Sequence, residues 1–135
     1  MMNNKIRYFK NKKLNPKDVA QLFIRAGLKR PSDDVKRIGK MLKNADLVIT
    51  AWEGKKLVGI ARSLTDFTYC TYLSDLAVDK DFQKQGIGRE LVNRTQKAIG
   101  EKSMLLLLSV PTAVEYYPKI GFQKNDFAFL IQRKR

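Results

Sequence analysis

The chain has 135 residues, a formal net charge of +14 and no histidine. The missing histidine excludes Ser-His-Asp and Cys-His catalysis, a histidine general base and histidine-ligated zinc; with Cys70 as the single cysteine, no transition-metal ligand set is expected. The longest apolar run, Met104 to Leu108, is far short of a membrane span, and the basic N-terminus lacks the apolar block of a signal peptide, so the totals point to one cytoplasmic domain, residues 1–135, with anionic partners.

Lys5 to Phe9 has the pattern of a first strand. Pro16 to Gly27 predicts a helix: proline suits the first turn, Val19, Leu22, Phe23 and Ala26 form one apolar stripe, and Gly27 closes it. Pro31 to Lys43 predicts a second helix, capped by Ser32, with Asp33 and Asp34 in its first turn and Val35, Ile38 and Leu42 facing inward. Leu47 to Trp52 and Lys56 to Leu64 read as strands joined by a hairpin turn at Glu53-Gly54-Lys55. Thr71, Tyr72, Leu76 and Val78 suit a further strand, in which Cys70 is expected as a small buried residue. A helix follows from Gly86 to about Gly100. Met104 to Val110 reads as a strand buried on both faces, Pro111 to Lys119 as a short helix, and Phe122 to Arg133 as the strand that completes the sheet.

The chain is organised around Tyr69 to Arg89. Here a strand ends at Asp79, Lys80 and Asp81, and Gln83-Lys84-Gln85-Gly86-Ile87-Gly88 leads into a helix whose apolar positions are Ile87, Leu91, Thr95, Ala98 and Ile99. A glycine loop opening a helix aims several backbone N–H groups, and the positive end of the helix dipole, at one point. That is a site for a phosphate or pyrophosphate. The dinucleotide fingerprint and the Walker pattern both fail on spacing, because Leu91 stands where a third glycine is needed and Arg89-Glu90 follows Gly88. On spacing alone, a plain packing turn remains open. The strand-helix-strand unit from Tyr69 to Val110 calls for a parallel pair with a right-handed crossover.

These residues resemble a known family. LAVDKDFQKQGIGRELV, then LLLLSV, then AVEYYPKIGF are similar to the GNAT superfamily of acyl-CoA-dependent N-acyltransferases. Gln83 through Gly88 match its Gln/Arg-x-x-Gly-x-Gly/Ala signature, and Tyr116-Tyr117 followed by Ile120-Gly121-Phe122 match its second. The resemblance covers Leu47 to Phe122. It implies an α/β fold with a mixed, mostly antiparallel sheet, a central parallel pair that splays at a bulge, and helices on both faces. It also implies acetyl-CoA as cosubstrate, with the pantetheine arm filling the splay against Leu76, Ala77 and Val78. The pyrophosphate would lie on Gln83, Lys84, Gln85, Gly86, Ile87, Gly88 and Arg89. Lys84 and Arg89 either add charge at the rim or are exposed helix-end cations.

The resemblance makes Tyr117 the acid that serves the leaving thiolate and the N–H of Leu76 the oxyanion donor, with Tyr116 left as the core aromatic. Pro118 is expected to distort the short helix. The base is open: Asp75, Glu53 and Asp66 are candidates, and so is a water chain with no dedicated base. Val110 stands where many family members carry an asparagine. Transfer to an amine, with a monomer or homodimer as the unit, competes with a non-catalytic acyl-CoA sensor and with a basic nucleic-acid-binding module. The +14 charge adds an expectation for the acceptor, namely at most one positive charge near its reacting amine, or a carboxylate beside it.

Overall fold

A computed structural model describes residues 5–135. The element order is β1 (Ile6–Lys10), α1 (Pro16–Ala26), α2 (Val35–Asn44), β2 (Leu47–Glu53), β3 (Lys56–Thr65), β4 (Cys70–Val78), α3 (Ile87–Ile99), β5 (Met104–Leu106) and α4 (Tyr116–Lys119). Short 3₁₀ turns at Lys80–Phe82 and Pro111–Ala113 precede α3 and α4. The five strands form one sheet in sequence order, antiparallel except for the parallel pair β4 and β5.

Each face of the sheet carries its own core. Val19, Leu22 and Phe23 of α1 and Ile38 of α2 pack on Val48, Leu57, Ile60 and Ala77. Ile87, Leu91, Val92 and Ile99 of α3 cover Leu47, Ile49, Ala51, Val58, Ala61 and Leu73 on the opposite face. Each fully buried aliphatic side chain of this kind contributes about 1.5–3 kcal/mol. Gly59 sits under the start of α3. A Cβ there would meet Leu91, Ile87 and Ala51 at 3.1–3.3 Å, so the glycine lets the helix start close against the sheet. No helix among the described residues is long and apolar enough to cross a membrane.

The helix ends follow local chemistry. The Asn15 side chain accepts from the Lys17 N–H at 2.9 Å to open α1, and Gly27 ends it in the left-handed region. The second helix starts later than expected. Ser32 and Asp34 take part in a turn on Arg30 and Pro31, and the Asp34 carboxylate, not Ser32, caps α2 by accepting from the Arg37 N–H.

Three further expectations are corrected. Cys70 is exposed, because it opens β4 at the sheet's end rather than lying within it. β5 is three residues long and only half covered: Met104, Leu106, Leu108 and Val110 are exposed in alternation, because no layer lies over that side of the strand. Residues 123–135 form no strand. The apolar run from Phe127 to Ile131 suits a strand, but a strand needs a hydrogen-bonded neighbour, and among the described residues this segment pairs with none; Phe127, Phe129 and Ile131 are 83%, 96% and 98% exposed.

Candidate active site

β4 and β5 pair only between Cys70–Tyr72 and Met104–Leu106, and beyond that the two chains part. The β3–β4 register slips by one at the same place: Arg62 faces Asp75, Ser63 faces Leu73, and Ser74 is the extra residue of a bulge. The bulge resets the alternation of β4. Leu73 before it packs with the α3 core, whereas after it Leu76 and Val78 take that side and Ala77 faces α1 and α2. A cavity of about 600 Å³ fills the gap. One wall is Leu73, Ser74, Leu76, Ala77 and Val78; the other includes Leu107, Leu108 and Val110.

At the Val78 end lie Gln83, Lys84 and Gly88. The first intrahelical bond of α3 runs from the Glu90 N–H to the Gly86 carbonyl at 3.0 Å, so the N–H groups of Ile87, Gly88 and Arg89 have no partner within the helix. Lys84 and Gly86 both have positive φ, 65° and 83°. Alternating left-handed residues curl a loop into a concave nest of N–H groups, and for lysine that conformation is strained. Gly88 has open space only up to Tyr116, whose hydroxyl would be 2.6 Å from an added Cβ. Expected as the core aromatic of the pair, Tyr116 is instead 40% exposed and lines the cavity.

Tyr117 is placed by the way α4 ends. The Phe122 N–H donates to the Tyr117 carbonyl, the Gly121 N–H donates to the Pro118 carbonyl, and Gly121 has φ 105°. This is a Schellman closure, and its hydrophobic contact is the edge-on packing of Phe122 against Tyr117, ring centres 5.6 Å apart. Tyr116 packs edge-on against the other side of Tyr117 at 5.4 Å. The Tyr-Tyr-Pro-Lys-Ile-Gly-Phe run is therefore one clamp that holds the Tyr117 ring in the cavity wall. Pro118 lies within the single turn of α4 and helps keep it short. Burial pushes the Tyr117 phenol above its ordinary value, the Tyr116 phenol adds to this, and the positive charge of Arg30 opposes it. The Tyr116 phenol is also raised by burial, against the charge of Arg89.

The acidic residues lie elsewhere. Among the described residues no Asp or Glu lines the cavity. Asp75 is completely buried, with one carboxylate oxygen accepting from the Arg30 Nε–H at 2.6 Å and the other from the Arg62 Nε–H. Arg30 also donates to the Lys29 and Ser74 carbonyls, and Arg62 to the Ser74 hydroxyl. Asp66 holds its own turn by accepting from the N–H groups of Thr68, Tyr69 and Cys70, and those bonds draw its carboxyl below the usual range. Glu53 ends β2 opposite Lys56. Arg89 donates to the Lys119 carbonyl at 3.1 Å and so ties the start of α3 to the end of α4. Of the remaining loop residues, Gln85 is exposed and Ile87 points into the core.

Arg30, Arg62, Tyr116 and Gly59 were not picked out as site residues by sequence reasoning. A lone glycine inside a strand is a legible sign of close backbone approach. The arginines have no such sign, because Arg30 and Asp75 are 45 positions apart.

The chain as a whole is similar to known proteins. The sequence profile of the acetyltransferase (GNAT) domain matches residues 19–129. An uncharacterized N-acetyltransferase, ycf52, of Pyropia yezoensis is 31% identical over 122 residues, which is 85% of this chain and 68% of that protein. Among solved structures, a Staphylococcus aureus protein described as a probable acetyltransferase superposes with a TM-score of 0.82 at 23% identity, covering 96% of this chain and all of the other. An aminoglycoside N-acetyltransferase in complex with CoA superposes with a TM-score of 0.73 at 13% identity, over 99% of this chain and 98% of the other, a likeness of fold. On the profile match and the ycf52 relative together, the chain belongs to the GNAT family of N-acetyltransferases.

Proposed function

We propose that the protein transfers an acetyl group from acetyl-CoA to a primary amine by direct attack within a ternary complex. The observation that carries this reading is that Tyr117 lines the same cavity onto which the start of α3 opens. The residues fit the cosubstrate. The cradle at Gly88 is one that a Cβ would fill, the N–H groups of Ile87, Gly88 and Arg89 are free for pyrophosphate oxygens, and Lys84 adds charge beside them. Gln83 and Gln85 complete the loop. Gln83 donates its side-chain N–H to the Val78 carbonyl and fixes the loop to the strand.

Along the splay, the backbone of Leu76, Ala77 and Val78 holds the arm as an added strand would be held. The N–H of Leu76 stabilises negative charge on the reacting carbonyl oxygen. Tyr117, kept protonated by burial, donates to the departing sulfur. The amine must lose a proton, and with no carboxylate in the cavity wall water takes it. Asp75 anchors two arginines and is not the base. Arg89 braces α4, on which Tyr117 sits.

The competing reading is a non-catalytic acyl-CoA sensor, which the missing carboxylate favours. A free-thiol release assay with acetyl-CoA and a broad amine panel separates the two. Thiol release with amine-dependent kinetics supports transfer. Tight CoA binding with no release across the panel overturns it.

A further inference from the structure

Among the described residues the cavity wall carries two charged side chains, Lys84 at the loop end and Arg30 at the other, and both are positive. Arg30 lies in the connection between α1 and α2, outside the match to the family's two signatures. Its guanidinium is fixed on three sides: Nε–H to Asp75, one terminal N–H to the Lys29 carbonyl at 2.7 Å and one to the Ser74 carbonyl at 2.8 Å. A guanidinium has five N–H donors, so each terminal nitrogen keeps one for a ligand.

Asp75 does not cancel this charge. Its single negative charge is shared with Arg62, whose side chain is 9% exposed, so the three together carry +1. Of the two arginines, Arg30 is the more exposed, at 25%, and it is the one that lines the cavity. Leu28, Leu73 and Leu108 line the same cavity. A fixed, partly desolvated guanidinium with two free donors suits a carboxylate, which takes two parallel N–H bonds.

Position narrows the ligand. Arg30 and Tyr117 line the same cavity, and the positive charge of Arg30 opposes the rise of the phenol. Leu73 to Val78 spans roughly 16 Å of strand, with the phosphate-binding loop at the far end and Arg30 at the near one. Arg30 thus serves the acceptor end and not the pyrophosphate.

We propose that Arg30, held by Asp75 and the bulge at Ser74, binds the carboxylate of the acceptor, and that the acceptor is a free amino acid whose amine and carboxylate are a few bonds apart. This rests on the acetyl-transfer reading for the role of the amine, but the carboxylate subsite is testable without turnover. A polycationic amine finds no counter-charge in this wall and meets Arg30 instead.

The test uses free L-amino acids, their amides and their decarboxylated amines as matched sets. Binding to the protein saturated with CoA is measured by calorimetry, and kcat/KM by thiol release with acetyl-CoA. The wild type is expected to favour the free acid over the amide by about 10- to 100-fold, the range of charge-assisted hydrogen bonds. In Arg30→Gln that ratio falls to within about threefold, and Arg30→Lys keeps an intermediate preference. The CoA-induced rise in Tm shows that each variant is folded. Equal treatment of acid and amide by the wild type, or an unchanged ratio in Arg30→Gln, overturns the proposal. Carboxylate-dependent binding without thiol release supports the subsite while overturning acetyl transfer.

Discussion

The hydroxyl oxygen of Tyr116 lies 2.6 Å from the position a Cβ on Gly88 would occupy. No real Cβ tolerates that distance, so any side chain at position 88 must push the phenol away. The phenol is the far end of a partly exposed side chain, and moving it costs the fold little. What it disturbs is the mouth of the helix, where the free N–H groups converge.

Gly88→Ala is therefore expected to leave the Tm of the free protein unchanged within about 0.5 kcal/mol of stability, as for substitutions away from core features. The rise in Tm on adding CoA should shrink or vanish. Gly86→Ala should do the reverse to the free protein. Its Cβ would have open space, but φ of 83° costs a side chain about 1–2 kcal/mol. Thermal scans of both variants with and without CoA check the pair. An undiminished CoA shift in Gly88→Ala removes the loop from the binding site.

Tyr117 gives a pH signature. Burial raises the phenol above its ordinary value of about 10, so the proton-donating form persists to higher pH. The attacking amine acts in its neutral form, so kcat/KM should rise about tenfold per unit of pH below the amine's own pKa. The fall from losing the tyrosine proton should come only above about pH 10. Tyr117→Phe should lower turnover by about 10²- to 10⁴-fold, keep CoA affinity within a few-fold and lose the alkaline fall. A wild-type profile that already declines between pH 8 and 9 would count against Tyr117 as the donor.

Asp75 separates an anchor from a base by stability. Its carboxylate balances Arg62, which is nearly buried, and Arg30. Breaking a buried pair by removing one partner costs about 3–5 kcal/mol, because the remaining charges are left uncompensated. Asp75→Asn should thus unfold at markedly lower urea. Asp75→Asn combined with Arg62→Met removes one stranded charge and should recover part of the loss. A base with no anchoring role predicts the opposite, with activity gone and the urea midpoint unmoved.

The parts of this molecule legible in the sequence are those whose cause is local. The turn at Gly54, the stop at Gly27, the glycine loop and the Tyr117-to-Phe122 closure each depend on a few adjacent residues. The hairpin turn placed β2 and β3, the β-branched and aromatic run ending at Val78 placed β4, and the helical spacing of Ile87, Leu91 and Thr95 placed α3. The carboxylates stay open in the sequence for a corresponding reason. Asp75 looks like any strand carboxylate until the bulge at Ser74 turns it toward Arg30, and that contact joins elements far apart in the chain. Tyr116 and Tyr117 are adjacent and chemically equal, so only the closure geometry tells which ring is clamped between two others.

The segment after Phe122 shows where pattern outruns packing. Phe127 to Ile131 is a continuous apolar run of the kind a strand carries, yet Phe127, Phe129 and Ile131 are 83%, 96% and 98% exposed, and no edge among the described residues pairs with them. A side chain that buries almost nothing has almost nothing to lose. Phe129→Ser and Ile131→Ser should each change stability by less than about 0.5 kcal/mol, against about 3–5 kcal/mol for a buried control, Phe23→Ala in α1. Urea unfolding of the three variants, run at several protein concentrations, checks this. A loss above about 2 kcal/mol at Phe129 or Ile131 would show that these side chains are covered in solution.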